Sequence, residues 1–341
     1  MKFTIKKIVN REICHYDSPE IQITSLSNTI YVRTNNNEYT VKLPDRLWKR
    51  FLGNFRLARR VLRLDKCNVV PVEDGLVLIR QGEVYHYHSD SKILKRTLLL
   101  KNCRNVLHQS IAVIHQKELF FGEYGNNAPR KEVPVYKSSD CGNSWKTIFE
   151  FPPGKIKHVH GCFYDPYEDK IWTMTGDFKG ECHILCSDRN FDNIEWIGDG
   201  NQLYRACNAF FEKDSVHWIM DSPLQNSYHI KLDRTSRRIH QHQLFPGPVW
   251  YIKRLTDGYY LAATAQEIGP GVKDKHAHLM ISKDLIEWDD IHQFQHDGFP
   301  KRYFKFGVIG FPDGQQSSQS FFIFTEAIKG LDGKVALCAI D

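Results

Sequence analysis

The chain has 341 residues, and its hydrophobic content of 41% and aromatic content of 13% exclude a disordered protein. The net charge of +6 comes from scattered lysines and arginines, which favours a mixed, solvated surface and predicts no nucleic-acid groove. No apolar run reaches the roughly eighteen residues of a membrane span and the N-terminus shows no secretory signal, so we expect a cytoplasmic protein.

The nine cysteines are an odd number and show no regular spacing. Cys182 and Cys186 form the one close pair, but a Cys-x3-Cys spacing without a second pair is a weak zinc signal. Reduced, buried thiols explain the cysteines more simply. The sequence therefore predicts no metal ion and no cofactor.

The N-terminal part, residues 1–64, is predicted to supply strands that close the fold, with NEYTVKLP (37–44) as the best candidate. It also holds one segment with helical periodicity, residues 45–64. Its apolar residues at helical spacing are Leu47, Phe51, Phe55, Leu57 and Val61. Gly53 interrupts the pattern, which predicts a short helix or a segment rich in turns.

From residue 65 onward the sequence repeats a unit of an apolar strand, a polar turn and a second strand. Five copies end on a carboxylate and a sixth ends on Arg80; they cover residues 68–81, 110–125, 158–177, 206–222, 249–267 and 305–327. The copies are roughly 40 to 60 residues apart, the spacing of β-propeller blades. Two more strand-like runs follow most copies, which gives four antiparallel strands per repeat.

The predicted fold is therefore all-β, a six-bladed β-propeller of four-stranded antiparallel blades. The last repeat offers three strands, so an N-terminal strand is expected to complete it. Seven blades result if residues 20–44 form a partial blade of their own. One domain is expected over residues 1–341, with closing strands in 1–64 and blade repeats in 65–341, and a monomer is the expected state.

One turn carries a recognisable motif, SSDCGNSW at residues 138–145. Its Ser-x-Asp-x-Gly-x-x-Trp pattern matches the Asp-box, or BNR repeat, with less complete copies after two other blade repeats. The matching residues are Ser138, Asp140, Gly142 and Trp145, then Ser187, Asp188 and Trp196, then Ser282, Asp284 and Trp288. Over roughly residues 65–340 the chain resembles the sialidase-like β-propeller superfamily. That resemblance implies a propeller fold and activity on saccharides.

The motif itself is predicted to be structural, because Asp140 can accept hydrogen bonds within its own hairpin. The turn joins the third and fourth strands of a blade. Successive strands run in opposite directions, so this turn lies at the blade edge opposite to the end of the second strand. We call the latter the mouth edge, where second strands end and first strands begin. Any chemistry is expected there.

The mouth edge collects most of the candidate site residues. The ends of second strands supply Arg80, Glu123, Asp177, Asp221, Glu267 and Glu326, and the starts of first strands supply His158, His160, Arg205, Trp250, Tyr251 and Lys305. Converging carboxylates repel each other, which raises some pKa values and holds one carboxyl protonated as a general acid. Glycoside hydrolysis needs such an acid beside an ionised carboxylate.

The roles follow from residue type. The predicted catalytic residues are Glu123, Asp177, Glu267 and, as a helper, His160. The predicted substrate-binding residues are Arg80, His158, Arg205, Asp221, Trp250, Tyr251, Lys305 and Glu326. His158 and His160 lie two apart on one strand and share a face, so a metal pair with Asp177 is an alternative to hydrogen-bonding or general-base roles.

The sequence departs from the sialidase pattern because it has no Arg-Ile-Pro stretch, and neither three arginines nor a tyrosine nucleophile can be mapped onto it. The predicted function is a glycoside hydrolase that is sialidase-like without being restricted to sialic acid, a lyase being the less favoured enzyme. The alternative is a non-catalytic propeller that binds a glycan or a protein. Cations paired with each mouth carboxylate would favour binding; two free carboxylates would favour catalysis.

Overall fold

A computed structural model describes all 341 residues of the chain. It contains 28 strands, three short α-helices and one 3₁₀ turn at Gln202–Tyr204. The helices are α1 (Leu47–Leu52), α2 (Arg56–Leu62) and α3 (Lys301–Phe304). No helix has the length and apolar character that crossing a bilayer requires.

The strands form seven four-stranded antiparallel sheets, the arrangement of a seven-bladed β-propeller. In chain order the first fourteen strands are β1 (Phe3–Val9), β2 (Ile13–Asp17), β3 (Ile21–Leu26), β4 (Thr29–Thr34), β5 (Glu38–Lys42), β6 (Asn68–Val72), β7 (Gly75–Arg80), β8 (Glu83–His88), β9 (Ile93–Leu99), β10 (Ala112–Ile114), β11 (Glu118–Gly122), β12 (Val133–Ser138), β13 (Lys146–Phe151) and β14 (His158–Asp165). The others are β15 (Lys170–Gly176), β16 (Cys182–Ser187), β17 (Ile194–Gly200), β18 (Phe210–Phe211), β19 (Ser215–Ile219), β20 (Ser227–Asp233), β21 (Ile239–Phe245), β22 (Val249–Arg254), β23 (Tyr260–Thr264), β24 (His276–Ser282), β25 (Asp289–Gln295), β26 (Val308–Gly310), β27 (Phe321–Glu326) and β28 (Lys334–Ile340).

The six-blade count is one short, and the seventh blade is β2–β5, where the sequence left a partial blade open. The predicted closing strand at 37–44 is wrong, because β5 is the outer strand of that blade. An N-terminal strand does complete the last blade, as predicted, but it is β1, which pairs antiparallel with β28. Its Phe3 lies opposite Ile340, and Phe3 and Ile5 pack on the core of that blade.

The chain divides into two compact units. The first comprises residues 1–66, 223–226 and 245–341, and its core includes Leu261, Leu279 and Phe321. The second comprises residues 67–222 and 227–244, and its largest fully buried side chains are Trp172 and Trp218. All nine cysteines are buried and free, as the sequence predicts.

The predicted helical segment at 45–64 is two short helices, α1 and α2, separated by Gly53 to Phe55. Its apolar residues do not form a buried face. Leu47 is 82% exposed and Phe51 is 64% exposed, whereas the one buried residue of α2 is Arg60. The hydrophobic periodicity therefore predicted the helices and gave the wrong face for burial.

Candidate functional site

The 138–145 turn uses its carboxylate internally. Asp140 Oδ1 accepts hydrogen bonds from Ser138 Oγ at 2.8 Å and from the Ser144 backbone N–H at 2.9 Å, and Oδ2 accepts from Ser144 Oγ at 2.6 Å. Gly142 has a φ of +86°, which suits glycine, and the Trp145 indole donates to its carbonyl at 3.1 Å. Asp140 therefore has a structural role in its own hairpin, between β12 and β13.

A cluster in the second unit surrounds one carboxylate, and we call it the Asp177 centre. Lys157 Nζ lies 2.6 Å from Asp177 Oδ2. Three nitrogens approach Oδ1: His160 Nε2 at 3.2 Å, Arg205 Nη2 at 3.3 Å and His158 Nε2 at 3.4 Å. The histidines are buried, while the side chains of Lys157 and Asp177 keep 19% and 18% exposure.

Local strand geometry brings these residues together. His158 begins β14 and pairs with Gly176, the last residue of β15, so Asp177 comes directly after the residue opposite His158. A β-bulge between Val159 and Gly161 shifts the register around His160. Gly176 makes room for the imidazole, because a Cβ added at Gly176 would lie 2.4 Å from His160 Cε1.

Backbone carbonyls fix the tautomer of both histidines. His158 Nδ1 lies 2.8 Å from the Gly125 carbonyl oxygen, and His160 Nδ1 lies 2.8 Å from the Ala206 carbonyl oxygen. A carbonyl only accepts, so each Nδ1 carries a hydrogen and donates it. Both Nε2 atoms are thereby turned toward Asp177 Oδ1.

The electrostatics keep Asp177 ionised. Burial acts to raise its pKa, but when the imidazoles of His158 and His160 also carry a proton at Nε2, their hydrogen bonds and charge outweigh burial and hold the pKa well below its ordinary value. Burial lowers the pKa of His158, with Asp177 partly offsetting the effect. Asp177 therefore lacks the raised pKa that the sequence analysis expected of a general acid.

Arg205 connects the centre to a second buried carboxylate. Its Nε lies 3.2 Å from Asp221 Oδ2, and its Nη1 donates to the Asp177 backbone carbonyl at 2.9 Å. Cys207 Sγ lies 3.2 Å from Asp221 Oδ2 and 3.6 Å from His160 Nδ1, and burial raises the pKa of its thiol. The structure thus brings five predicted residues together: His158, His160, Asp177, Arg205 and Asp221.

Lys157, Cys207 and Phe178 are parts of this region that the sequence analysis did not single out. Phe178 follows Asp177 directly, and its ring is 46% exposed. Lys157 Nζ and the Arg130 guanidinium lie 5.6 Å and 5.3 Å from the centroid of that ring. For Lys157 and Phe178, adjacency to His158 and Asp177 in sequence was the available signal.

Glu123, predicted to be catalytic, has both oxygens occupied. Oε1 accepts from the Lys101 backbone N–H at 2.7 Å and from the Tyr136 hydroxyl at 2.9 Å, and Oε2 accepts from the Asn102 backbone N–H at 2.7 Å. The side chain is buried, and Glu123 is 3% exposed. These contacts tie a loop to the blade, which is a structural use of the carboxylate.

The predicted binding residues of the first unit form a different cluster. Glu326 pairs with Lys66 through Oε1 and lies 3.4 Å from Lys305 Nζ through Oε2. Lys305 Nζ also lies 2.8 Å from Asp65 Oδ2. Lys305 and Glu326 are 5% and 6% exposed, so they take part in a buried ion-pair network.

Four predicted residues belong to neither cluster. Trp250 Nε1 donates to Glu267 Oε1 at 2.8 Å, and Glu267 is partly exposed. Tyr251 is 2% exposed and packs in the hydrophobic core against Phe324. Arg80 ends β7 and is 2% exposed. The substrate-binding role of Arg80 stays a prediction.

Comparisons with known proteins support the fold assignment and do not identify a function. No protein-family model matches the chain, and no curated protein matches it. Among solved structures, a chain of a mitotic checkpoint complex matches with a TM-score of 0.60 and 9% identity, over 99% of this chain and 92% of that one. TolB from Acinetobacter baumannii matches with a TM-score of 0.45 and 9% identity, over 96% of this chain and 78% of that one.

The extracellular domain described as part of a hybrid two-component system from B. thetaiotaomicron matches with a TM-score of 0.56 and 10% identity. That match covers 98% of this chain, which spans 39% of the matched one. The two matches with TM-scores of 0.56 and 0.60 support the β-propeller fold, and identities of 10% and 9% support nothing beyond the fold. The resemblance to sialidase-like propellers therefore stays an interpretation of the sequence.

Proposed function

We propose that the protein is a glycan-binding β-propeller that recognises its saccharide at the exposed side of the Asp177 centre without hydrolysing it. The observation that carries the proposal is the occupation of the mouth carboxylates by the protein's own donors. Asp177 contacts the cations Lys157 and Arg205, and Glu123 accepts three hydrogen bonds. A glycosidase needs two carboxyl groups that are available to substrate and water.

The exposed groups at the centre suit a sugar. The Phe178 ring offers an apolar face beside the Lys157 ammonium and the Asp177 carboxylate, both of which are partly exposed. A saccharide presents C–H groups to an aromatic ring and hydroxyls that donate to a carboxylate or accept from an ammonium. Apolar contact with a few convergent polar groups is the usual make-up of a small-ligand site.

The test is a glycan array followed by calorimetry with the best ligand, for the wild type, Phe178→Ala and Tyr167→Ala. Tyr167 is the matched control, because it is also an aromatic residue with 46% exposure in the second unit, at the β14–β15 turn away from the mouth edge. We expect Phe178→Ala to weaken binding about ten-fold or more and Tyr167→Ala to leave it unchanged.

Aryl glycosides and the array ligand are assayed for turnover in parallel. Hydrolysis that is lost in Asp177→Asn or Glu267→Gln, but kept in Tyr167→Ala, would replace the proposal by the glycosidase hypothesis. Equal glycan affinity of wild type and Phe178→Ala would place the ligand elsewhere and would also contradict the proposal.

A further inference from the structure

Three potential metal ligands meet at one point in the Asp177 centre. His158 Nε2 and His160 Nε2 lie 3.4 Å and 3.2 Å from the same atom, Asp177 Oδ1. The three ligand atoms all lie within 4.8 Å of one another. Nitrogen and carboxylate donors at this separation are a known arrangement for first-row divalent metals.

When the imidazoles are neutral, no hydrogen lies between either Nε2 atom and Asp177 Oδ1. Both Nδ1 hydrogens are committed to backbone carbonyls, so each Nε2 presents a lone pair to a carboxylate oxygen that also bears lone pairs. His158 Nε2 is buried and makes no hydrogen bond. Two facing acceptors repel each other unless a cation lies between them.

The distances fit a zinc ion. Zinc binds imidazole nitrogen and carboxylate oxygen at about 2.0–2.2 Å in tetrahedral geometry, which puts neighbouring ligand atoms about 3.3–3.5 Å apart. The two nitrogen–oxygen distances of 3.2 and 3.4 Å agree with this value within the usual tolerance of about 0.2 Å. Calcium and magnesium prefer six or more oxygen ligands, which these side chains do not supply.

The surroundings resemble those of built metal sites. Each histidine donates its other ring nitrogen to a carbonyl, and Lys157 binds the second oxygen of Asp177. Arg205 is the one competing cation at Oδ1. It also contacts Asp221 Oδ2 and the Asp177 backbone carbonyl, so it stays anchored when its 3.3 Å contact with Oδ1 lengthens.

We propose that His158 Nε2, His160 Nε2 and Asp177 Oδ1 form a zinc-binding site with one coordination position left for a ligand. The proposal goes beyond glycan binding and does not depend on it. Cys207 lies near His160 as well, but on the Nδ1 side that donates to the Ala206 carbonyl, so it is not a ligand.

The test uses full-length protein freed of metal by a chelator and titrated with Zn²⁺ in a calorimeter. We expect one zinc per chain, a higher melting temperature with zinc, and a loss of affinity of about 100-fold or more in His158→Ala. Cys207→Ser is the matched control, a buried neighbour of His160 that should keep wild-type affinity. Unchanged zinc affinity in His158→Ala, or loss in Cys207→Ser alone, would overturn the site.

A second measurement uses wild-type protein alone, so its outcome does not depend on whether a variant folds. Wild-type protein loaded with Co²⁺ should show the visible absorption of a four-coordinate ion with nitrogen and oxygen ligands. A wild-type protein that takes up neither Zn²⁺ nor Co²⁺ would overturn the proposal and would leave protonated imidazoles as the positive groups. Glycan binding measured with and without zinc separates this result from the proposed function.

The first unit carries a second, independent feature, an inverted helix pair. Helix α2 turns arginines inward: Arg60 is 1% exposed and Arg56 contacts Glu12, Asp65 and Asp332 at 2.7–2.8 Å. The apolar side chains point outward instead. The exposed large apolar residues of this pair are Leu47, Trp48, Phe51, Phe55, Leu57, Val61 and Leu62, which are seven of the nineteen in the whole chain.

The positive charge beside these apolar residues indicates what kind of partner they bind. Residues 46–64 contain no carboxylate. Three of their arginines pair inward with carboxylates, and the exposed or half-buried cations of this segment are Arg46, Lys49, Arg50 and Arg63. Arg46 and Arg50 are exposed beside Trp48 and Phe51. Aromatic and aliphatic side chains mixed with cations are the composition of elements that lie in the interface of an anionic bilayer.

We infer that the helix pair binds the surface of anionic lipid membranes. The test is co-sedimentation of full-length protein with phosphatidylcholine vesicles and with vesicles that also contain phosphatidylglycerol. We expect binding to the anionic vesicles, weaker binding at high salt, and a roughly ten-fold loss in Phe51→Ser/Phe55→Ser. The control is Ile93→Ser/Leu99→Ser, which removes two residues of 61% and 65% exposure from β9.

No binding to anionic vesicles would overturn this inference. A dimer detected by light scattering and abolished by Phe51→Ser/Phe55→Ser would overturn it too, because the patch would then be a protein interface.

Discussion

The chain holds two buried charged clusters with different compositions. The network of the first unit is built from permanent charges in equal numbers: Arg56, Arg59, Arg60, Lys66 and Lys305 face Glu12, Asp65, Asp297, Glu326 and Asp332. The Asp177 centre adds two imidazoles with fixed tautomers to its permanent charges. The carboxylates of the first cluster are already paired with guanidinium and ammonium groups. The imidazole nitrogens that face Asp177 Oδ1 are instead placed to bind a cation together with that oxygen. We therefore expect the first cluster to stabilise the fold and propose that the second binds a ligand.

The largest expected effect comes from a substitution that breaks the first cluster. Arg56→Ala removes a guanidinium that contacts Glu12, Asp65 and Asp332, and leaves buried carboxylates without it. We expect a loss of about 3–5 kcal/mol in the free energy of unfolding, measured by urea denaturation. Arg96→Ala is the control, because Arg96 is 57% exposed in its pair with Glu83 and its removal should cost far less stability. Similar losses in both variants would refute the distinction.

The second effect is confined to the Asp177 centre. Gly176→Ala adds a Cβ that would lie 2.4 Å from His160 Cε1, so the imidazole must move. We expect zinc affinity to fall about 10- to 100-fold by calorimetry. Gly247→Ala is the control, because its added Cβ would meet no atom closer than 3.6 Å. Wild-type affinity in Gly176→Ala would mean that His160 is not a ligand.

The third effect concerns a buried histidine without a carboxylate partner. Burial lowers the pKa of His217 from 6.5 to about 3, and its ring contacts Ser215 Oγ at 2.8 Å and His229 Nε2 at 3.0 Å. The unfolded state binds the proton more readily, so stability from this group is present above pH 6.5 and falls as the pH drops below it. We expect a loss of about 1.4 kcal/mol between pH 7.5 and pH 5.5.

Urea denaturation of His217→Gln at the two pH values checks this expectation. The variant should lose less stability on acidification than the wild type does. An equal loss in both proteins would mean that His217 accepts a proton in the folded state.

The smallest effect tests the turn at 138–145. Asp140→Ala removes the acceptor for Ser138 and Ser144 at the surface of one hairpin, which we expect to cost about 1 kcal/mol in thermal unfolding. Zinc and glycan affinity should not change. A loss of ligand binding with an unchanged melting temperature would give this turn a functional role.

The sequence predicted the blade repeat because alternating apolar strands and polar turns are local patterns. It placed the histidines, Asp177, Arg205 and Asp221 at blade edges, and the structure brings these five together. It did not predict that the Glu123 carboxylate accepts hydrogen bonds from the backbone N–H groups of Lys101 and Asn102, because these residues lie in a loop 22 and 21 residues earlier in the chain. The inward arginines of α2 likewise depend on carboxylates as distant as Asp332.

The most direct test of zinc binding at the Asp177 centre is the zinc content of purified protein, measured by mass spectrometry after loading and desalting. The proteins to compare are the wild type, Asp177→Asn and Asp332→Asn, since both side chains are carboxylates in ion pairs with 18% exposure. We predict one zinc per chain in the wild type and Asp332→Asn, and none in Asp177→Asn. Zinc retained by Asp177→Asn, or absent from the wild type, would contradict the account.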